Sequence, residues 1–140
     1  MSLHTTIPAV QIINGNVPAM LNFDVNFNDA GLASGVKKYT LWADAAHPML
    51  LEFFAEVITA FNAGTTNTLT LGSNATANQF IGTLQIDEST PGFYPTSNAN
   101  FKIRIVAPTD IYVKYVQAGT VATTGQAKFY IRTTPLFEGT

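Results

Sequence analysis

Few residues of this sequence could perform chemistry, and they are widely spaced. The chain of 140 residues has two histidines, His4 and His47, and no cysteine, which excludes disulfides, thiolate metal sites and cysteine nucleophiles. A Ser-His-Asp arrangement would need His47 with a partner such as Asp44, but no nucleophile elbow is present. A metal site would need both histidines with a carboxylate, and no metal-binding spacing supports one. We therefore predict no catalytic residue, no metal and no cofactor, and we expect a protein that is not an enzyme.

The stretch "DVNFNDAG" resembles the start of a calcium-binding loop, in which carboxylate and amide oxygens occupy alternate positions. Asp24, Asn26 and Asn28 fit the first three ligand positions. However, Asp29 stands where the loop needs glycine for its sharp turn, and Gly35 stands where it needs a bidentate glutamate. These departures favour a simpler interpretation, in which the polar residues form the solvent-facing side of a β-strand.

The acidic doublet Asp87-Glu88 could in principle divide acid and base roles across a glycosidic bond. That chemistry needs two carboxyl groups facing each other about 5 to 10 Å apart. Adjacent residues on a strand point to opposite faces, so this doublet does not meet the requirement. We predict instead that it ends a strand before a turn at Pro91-Gly92.

Exposed aromatic rings can bind sugars, and six residues are candidates for such a platform. Because aromatic residues of β-proteins usually belong to the core or to an interface, we keep the platform as the minor alternative. Asn74-Ala75-Thr76 is an N-glycosylation triplet, which has meaning only in a secreted protein. The six aromatic candidates are Trp42, Phe93, Tyr94, Tyr112, Tyr115 and Tyr130.

Charge is scarce in this sequence. Charged residues make up 11% of the chain, less than half of the roughly 25% in ordinary domains, and the net charge is −2. The basic residues are scattered, so we predict no nucleic-acid partner. No apolar run approaches the roughly 20 residues of a membrane span, and the N-terminus lacks the pattern of a secretory signal, so we predict no membrane partner. A low charge content is typical of a surface that is largely covered by other proteins, because burying an unpaired charge is costly.

Strict alternation of apolar and polar residues is the main structural signal. Residues 21–27, "LNFDVNF", alternate in this way, which predicts a strand with one buried face. The same pattern recurs in residues 101–107, 111–117 and 127–134, the last two joined by the glycine-containing turn "AGTVATTGQ". Further strands are predicted over residues 9–13, 36–42, 67–72 and 80–86.

Residues 49–61 are ambiguous between helix and strand. The Met, Leu, Glu, Phe and Ala content of "MLLEFFAEVITAF" would tolerate a helix, and some apolar residues recur at helical spacing. The segment also alternates, with Leu51, Phe53, Ala55 and Val57 on one face. Because strands are predicted on both sides, we interpret this segment as a strand as well.

These patterns predict an all-β fold, a jelly-roll-like sandwich or small barrel of about eight or nine strands. We assign residues 20–140 to a single β-domain and residues 1–19 to an extended N-terminal arm, in which prolines discourage helix. The arm carries more apolar residues than a free tail needs, and we expect them to contact a neighbouring subunit. The predicted interface residues are Leu3, Ile7, Val10, Ile12 and Ile13.

Residues 57–134 contain a succession of strand and turn elements. Thr59-Ala60-Phe61-Asn62 leads through Gly64-Thr65 to "TLTLG", a loop of small residues follows, and Gly119 to Gly125 form a turn of the type G-T-x-A-T-x-G. This pattern resembles small all-β structural proteins of tailed bacteriophages, in particular head decoration (cement) proteins and related auxiliary virion proteins.

The resemblance implies a jelly-roll-like fold, a homotrimer, and a position on the exterior of the virion capsid after synthesis in the host bacterial cytoplasm. It also implies that the major capsid protein and further copies of the chain are the partners, and that the arm lies across one of them. Uncharged, threonine-rich strands fit this role because they can be covered at a low desolvation cost. The alternative is a phage tail, fibre or receptor-binding module that recognises carbohydrate through exposed aromatic residues.

Overall fold

The computed structural model describes residues 11–14, 19–82, 86–94 and 102–136, which fold into nine strands and one short 3₁₀ turn, Leu32–Ser34. The strands are β1 (Gln11–Asn14), β2 (Ala19–Asn26), β3 (Val36–Trp42), β4 (Met49–Thr59), β5 (Thr66–Gly72), β6 (Gly92–Tyr94), β7 (Lys102–Ile105), β8 (Thr109–Ala118) and β9 (Gln126–Pro135).

The strands form two sheets, which we name after their central members. In the β4 sheet the order is β2-β9-β4, and β6 and β7 pair one after the other with the far edge of β4. In the β8 sheet the order is β1-β3-β8-β5. All pairs are antiparallel except β1 with β3, which is parallel. The structure is therefore all-β, as the alternating sequence pattern predicted.

The connectivity is that of a jelly roll. Strand β2 lies beside β9 and β9 beside β4, with β7 beyond, while in the other sheet β3 lies beside β8 and β8 beside β5. An isolated bridge joins Leu71 of β5 to Ile81, which therefore occupies a fifth position in that sheet, beyond β5. Strands from the two halves of the chain thus alternate in each sheet, and the predicted jelly-roll-like sandwich is confirmed.

Strand β4 settles the ambiguity of residues 49–61. Over the 11 residues from Met49 to Thr59 the backbone is extended, and the residues from Met49 to Val57 are alternately buried and partly exposed. Leu51, Phe53 and Ala55 have no exposed surface. A helix would bury a stripe with period 3.6, whereas the chain buries every second residue, so the period-two interpretation is confirmed.

Aromatic side chains fill the space between the sheets. Phe53 of β4 stacks on Phe80 with ring centroids 4.6 Å apart, and Phe61 packs against Tyr115 of β8 at 4.9 Å. Phe61 and Phe80 lie in the loops that follow β4 and β5, and both are buried, so these loops contribute to the core as well.

Two predicted segments differ from the structure or lie partly outside its described residues. Of the predicted strand 80–86, Ile81 makes an isolated bridge, and residues 83–85 lie outside the described part. Of the predicted arm, residues 1–10 and 15–18 lie outside it, including the proposed contacts Leu3, Ile7 and Val10. Ile12 and Ile13 belong to β1, where their backbone registers with Thr40 and Leu41 of the same chain.

We expect Phe53→Ala to lower the free energy of unfolding by about 3–5 kcal/mol, because it leaves a cavity between the sheets. Phe54→Ala, one position along on the solvent-facing side of β4, should cost only about 1–2 kcal/mol, because that ring is partly exposed. Urea denaturation of both variants measures the difference. Equal losses would contradict the assignment of the two faces of β4.

Candidate functional site

The histidine suggested for catalysis lies in an exposed turn. Asp44 Oδ1 accepts a hydrogen bond from the His47 backbone N–H at 2.7 Å and lies 3.1 Å from His47 Nδ1. The backbone hydrogen bond from His47, followed by the side-chain contact, lowers the pKa of Asp44. Asp44 therefore serves to close a turn. His4 lies outside the described residues, and among those described no group of three or more histidine and acidic residues could hold a metal ion.

The Asp87-Glu88 doublet is divided between solvent and core. Asp87 is exposed, accepts hydrogen bonds from Ser89 N–H and Oγ–H at 3.1 and 2.8 Å, and has a pKa lowered mainly by the Ser89 hydroxyl. Glu88 is buried, with 7% of its surface exposed. The prediction that the doublet ends a strand before a turn at Pro91-Gly92 is wrong. Both residues lie in a turn closed by the Thr90 N–H on the Asp87 carbonyl, and Gly92 begins β6.

Glu88 fastens this turn to two other segments. Its carboxylate accepts the Leu69 backbone N–H of β5 at 2.7 Å, and its carbonyl accepts the Phe61 N–H at 2.9 Å. Burial raises the pKa of Glu88, and the Leu69 hydrogen bond opposes that rise only in part. The carboxylate therefore satisfies a strand-edge amide, and its position explains its burial without a catalytic role.

The six aromatic residues proposed as a sugar platform do not form one surface. Tyr115 is buried, and Tyr94 turns its hydroxyl onto the Thr90 carbonyl at 2.7 Å. Trp42 ends β3 with half of its surface exposed, and Tyr112 lies on the outer side of β8. Phe93 and Tyr130 do come together, and a third ring that the sequence analysis did not select, Phe54, joins them.

We call Phe54, Phe93 and Tyr130 the aromatic patch. It lies on the outer side of the β4 sheet, where Phe54 of β4 is in register with Tyr130 of β9. The rings of Phe54 and Phe93 are 6.0 Å apart at an angle of 16°, and those of Phe93 and Tyr130 are 6.1 Å apart at 59°. Phe93 is 54% exposed. Phe54 could have been found from the sequence, because it occupies the polar phase of β4 between Glu52 and Glu56.

Polar groups beside the aromatic patch are paired across the strands. The Tyr130 hydroxyl donates to Glu56 Oε1 at 3.1 Å, and Arg132 Nε donates to Glu52 Oε1 at 2.6 Å. Partial burial, and then the Glu56 carboxylate, raise the pKa of Tyr130, so its hydroxyl remains a donor.

The polar residues of the calcium-like stretch lie next to this surface rather than around an ion. Asp24 pairs with Lys128 at 3.7 Å, and Asp29 Oδ2 accepts the Asn26 N–H at 2.9 Å in the turn after β2. Asp24 and Asn28 are exposed, while Val25 between the polar positions is buried. Asp24 and Asn26 thus lie on the strand that the sequence predicted, while Asn28 and Asp29 belong to the turn after it.

The outer side of the β8 sheet has a different character. Thr66 and Thr68 of β5 are in register with Ala118 and Val116 of β8, and Lys114 and Tyr112 lie on the same side of β8 as Val116. What we call the threonine face consists of Thr66, Thr68, Tyr112, Lys114 and Val116. It contains one charged residue, Lys114, and Val116 is 40% exposed. Lys37 of β3, in register with Tyr112, lies at its border and pairs with Asp110 at 3.9 Å. The two sheets pack against each other through their inner sides, so the threonine face and the aromatic patch are on opposite sides of the domain.

The elements that carried the bacteriophage resemblance meet at one end of the domain. Asn62 Oδ1 accepts the backbone N–H groups of Thr123 and Thr124 at 2.7 and 3.0 Å, and its Nδ2 donates to the Thr123 hydroxyl at 2.9 Å. Gly125 packs so closely that a Cβ there would lie 2.3 Å from Phe61. The motif therefore holds the β4–β5 and β8–β9 loops together. The role of the Asn62 side chain was not evident from the sequence.

Comparison with known proteins adds little to this description. No family model and no curated protein matches the chain. Among solved structures, a periplasmic inhibitor of g-type lysozyme from Aeromonas hydrophila, PliG, is similar at a TM-score of 0.36 and 13% identity, over 91% of this chain and 97% of that one. A likeness of this size carries no functional argument. In the described part of the chain, no helix has the length and apolar character needed to cross a membrane.

We expect Glu88→Gln to stabilise the protein at neutral pH. The raised pKa of Glu88 means that the folded state holds this proton more tightly, so the carboxyl destabilises the fold increasingly as pH rises through the interval above its ordinary value. Glutamine keeps an acceptor for Leu69 without the charge. The stability difference between variant and wild type should therefore grow from pH 4 to pH 7 in urea titrations.

Asp87→Asn is the matched control, since its pKa is shifted downwards. It should lower stability at neutral pH and lose that effect in acid, which is the opposite sign. If the stability of Glu88→Gln changed with pH in the same direction as that of Asp87→Asn, burial of the Glu88 carboxylate would not determine its effect on the free energy of unfolding.

We expect Asn62→Ala to cost about 1–2 kcal/mol, because three hydrogen bonds to the β8–β9 loop are lost and each contributes about 1 kcal/mol or less at an exposed position. Hydrogen exchange at the Thr123 and Thr124 amides should accelerate. Asn62→Asp keeps the accepted bonds and should protect these amides nearly as well as the wild type. Unchanged exchange in the alanine variant would show that the glycine packing alone holds the loop.

Proposed function

We propose that this chain is a non-enzymatic virion structural protein that decorates the capsid of a tailed bacteriophage and stabilises the head through contacts with the major capsid protein and with its own copies. The observation that carries this proposal is the threonine face, a strip of β5 and β8 that contains one charged residue, Lys114, and an exposed valine, with the paired Lys37 and Asp110 at its border. A structural protein needs area that can be covered at low cost, and such a surface provides it.

The placement of the reactive groups also supports a structural role. Asp44 and Asp87 each close a turn, and Glu88 holds a strand edge. Each carboxylate of this set is engaged by backbone N–H groups of the chain itself. These carboxylates thus hold turns and a strand edge in place. Such rigidity suits a protein whose task is to hold neighbouring subunits in position.

The proposed assembly is a homotrimer on the capsid exterior. Many copies on one lattice can hold firmly even when each contact is weak, because attachment of one contact raises the effective concentration of the next. Each copy would present the threonine face to the major capsid protein and would be made in the cytoplasm of the bacterial host.

Co-sedimentation with shells of the major capsid protein encoded near this chain tests the proposal. The purified chain should bind the shells to a fixed stoichiometry, and sedimentation equilibrium should give the mass of a trimer. Val116→Lys should weaken retention at least tenfold, because it places an unpaired charge in the contact.

Met20→Lys is the matched control, since Met20 is similarly exposed but lies on the outer edge of the other sheet. It should leave retention unchanged. Failure of the wild-type chain to bind shells would overturn the decoration function, whereas equal retention of both variants would overturn the threonine face as the contact.

A further inference from the structure

We propose that the aromatic patch binds a neutral sugar, a hexopyranose unit of an oligosaccharide. The site is made of the rings of Phe54, Phe93 and Tyr130 and of the carboxylate of Glu56, with the Glu52–Arg132 pair on the adjacent rung of the sheet. It lies on the opposite side of the domain from the threonine face, so this inference does not rest on the decoration function.

The exposed ring of Phe93 is the part of the patch that can take the apolar side of a sugar ring. Phe93 is 54% exposed, stacks with Phe54 at 16° with centroids 6.0 Å apart, and has Tyr130 beside it at an angle of 59°. The face of an aromatic ring is negative, so it attracts the weakly positive C–H groups that cover one side of a pyranose. Rings fixed on a sheet lose little conformational freedom on binding, which makes this contact efficient.

The polar groups beside the rings match the hydroxyl rim of a sugar. Glu56 has two carboxylate oxygens, and the Tyr130 hydroxyl engages one of them. A carboxylate can accept about four hydrogen bonds, so capacity remains for sugar hydroxyls. Bonds to an ionised acceptor are stronger than neutral ones, which compensates for the wet position of the site.

The charges favour a neutral ligand over an ionic one. Asp24 is paired with Lys128, and Glu52 with Arg132, so both basic residues that β9 places on this side of the sheet are already engaged. With Glu56 and the exposed Arg104 of β7, which is in register with Leu50, the acidic and basic groups of this side balance. A balanced surface has no net attraction for an anionic polysaccharide or a phosphate, whereas an uncharged polyhydroxyl ligand exchanges hydrogen bonds with water on equal terms.

The size of the apolar surface favours a small ligand over a second copy of the chain. Aromatic side chains offer about 150–250 Å² each, and with Phe93 about half exposed and the other two rings less so, the patch amounts to roughly 200–300 Å². A stable protein interface buries about 800 Å² on each partner. One or two sugar units would cover the patch, while a protein dimer would need a much larger surface.

Titration of the isotope-labelled protein with neutral cellohexaose, chitohexaose and maltohexaose, followed by NMR, tests the inference. At least one of these sugars should shift the resonances of Phe54, Phe93 and Tyr130 in a saturable way with a millimolar or lower Kd. Phe93→Ala should weaken that binding at least tenfold, and polygalacturonate should leave the resonances unchanged.

Trp42→Ala is the matched control, because Trp42 is an equally exposed aromatic residue on the other sheet. It should bind the sugar as the wild type does. Glu56→Gln, which keeps the rings in place, should weaken binding by a smaller factor than Phe93→Ala.

Three results would overturn the inference. The first is the absence of patch shifts with all three neutral sugars, and the second is an equal loss of affinity in Phe93→Ala and Trp42→Ala. The third is a change in sedimentation mass of the free protein on Phe93→Ala, which would identify the patch as a contact between copies of the chain.

Discussion

The position of β9 between β2 and β4 is the constraint on which the rest of the β4 sheet depends. Both neighbours pair with β9 along almost its whole length, although they lie in the first half of the chain and β9 lies near its end. Phe129 and Ile131 of β9 reach the core only through these pairings, and Tyr130 reaches Phe54 only through them. Because these strands are distant in sequence, the chain between them must lose conformational entropy before the pairing with β9 can stabilise the fold, as in other proteins of high contact order.

A chain with so few charges satisfies its backbone with the polar side chains that it has. Asn67 illustrates the principle: its amide exchanges two hydrogen bonds with the backbone of Ala63 and also accepts the Tyr115 hydroxyl. Asn62 and Glu88 do the same at other junctions. Buried or half-buried backbone groups in loops need such partners, since an unpaired group costs as much as a lost hydrogen bond. The abundance of asparagine and threonine thus has a structural reason independent of any ligand.

The sequence predicted the fold well because period-two alternation reports directly on which residues a sandwich buries. It placed Asp24 and Asn26 on a strand rather than in a calcium loop. For β4 it left a helix possible, and the strands predicted on both sides decided the interpretation. It could not assemble the aromatic patch, because Phe54, Phe93 and Tyr130 come from three strands whose order depends on topology. The alternation that placed Glu52 and Glu56 on the outer side of β4 also placed Phe54 there. An apolar residue among the polar, outward-facing positions was the sequence signal for an exposed aromatic ring.

Tyr115 and Tyr112 show where residue type alone misleads. They stand three positions apart on β8, so alternation sends one into the core and the other outward. A platform proposed from aromatic content mixes such residues, and only the phase of the alternation separates them. Sequence reasoning therefore gave the strands and their faces, while the partners across strands required the structure.

The edge of β5 has a consequence for the behaviour of the protein at high local concentration. The Leu69 N–H is held by the Glu88 carboxylate, and the Leu71 N–H is held by the Ile81 carbonyl. At the other edge of the same sheet, β3 is covered by β1. Strand edges with free amides can recruit a strand from another molecule and start fibrous aggregates. Because these amides are already engaged, the β5 edge of one copy does not offer them to a strand of another, and crowded copies do not template one another through β5.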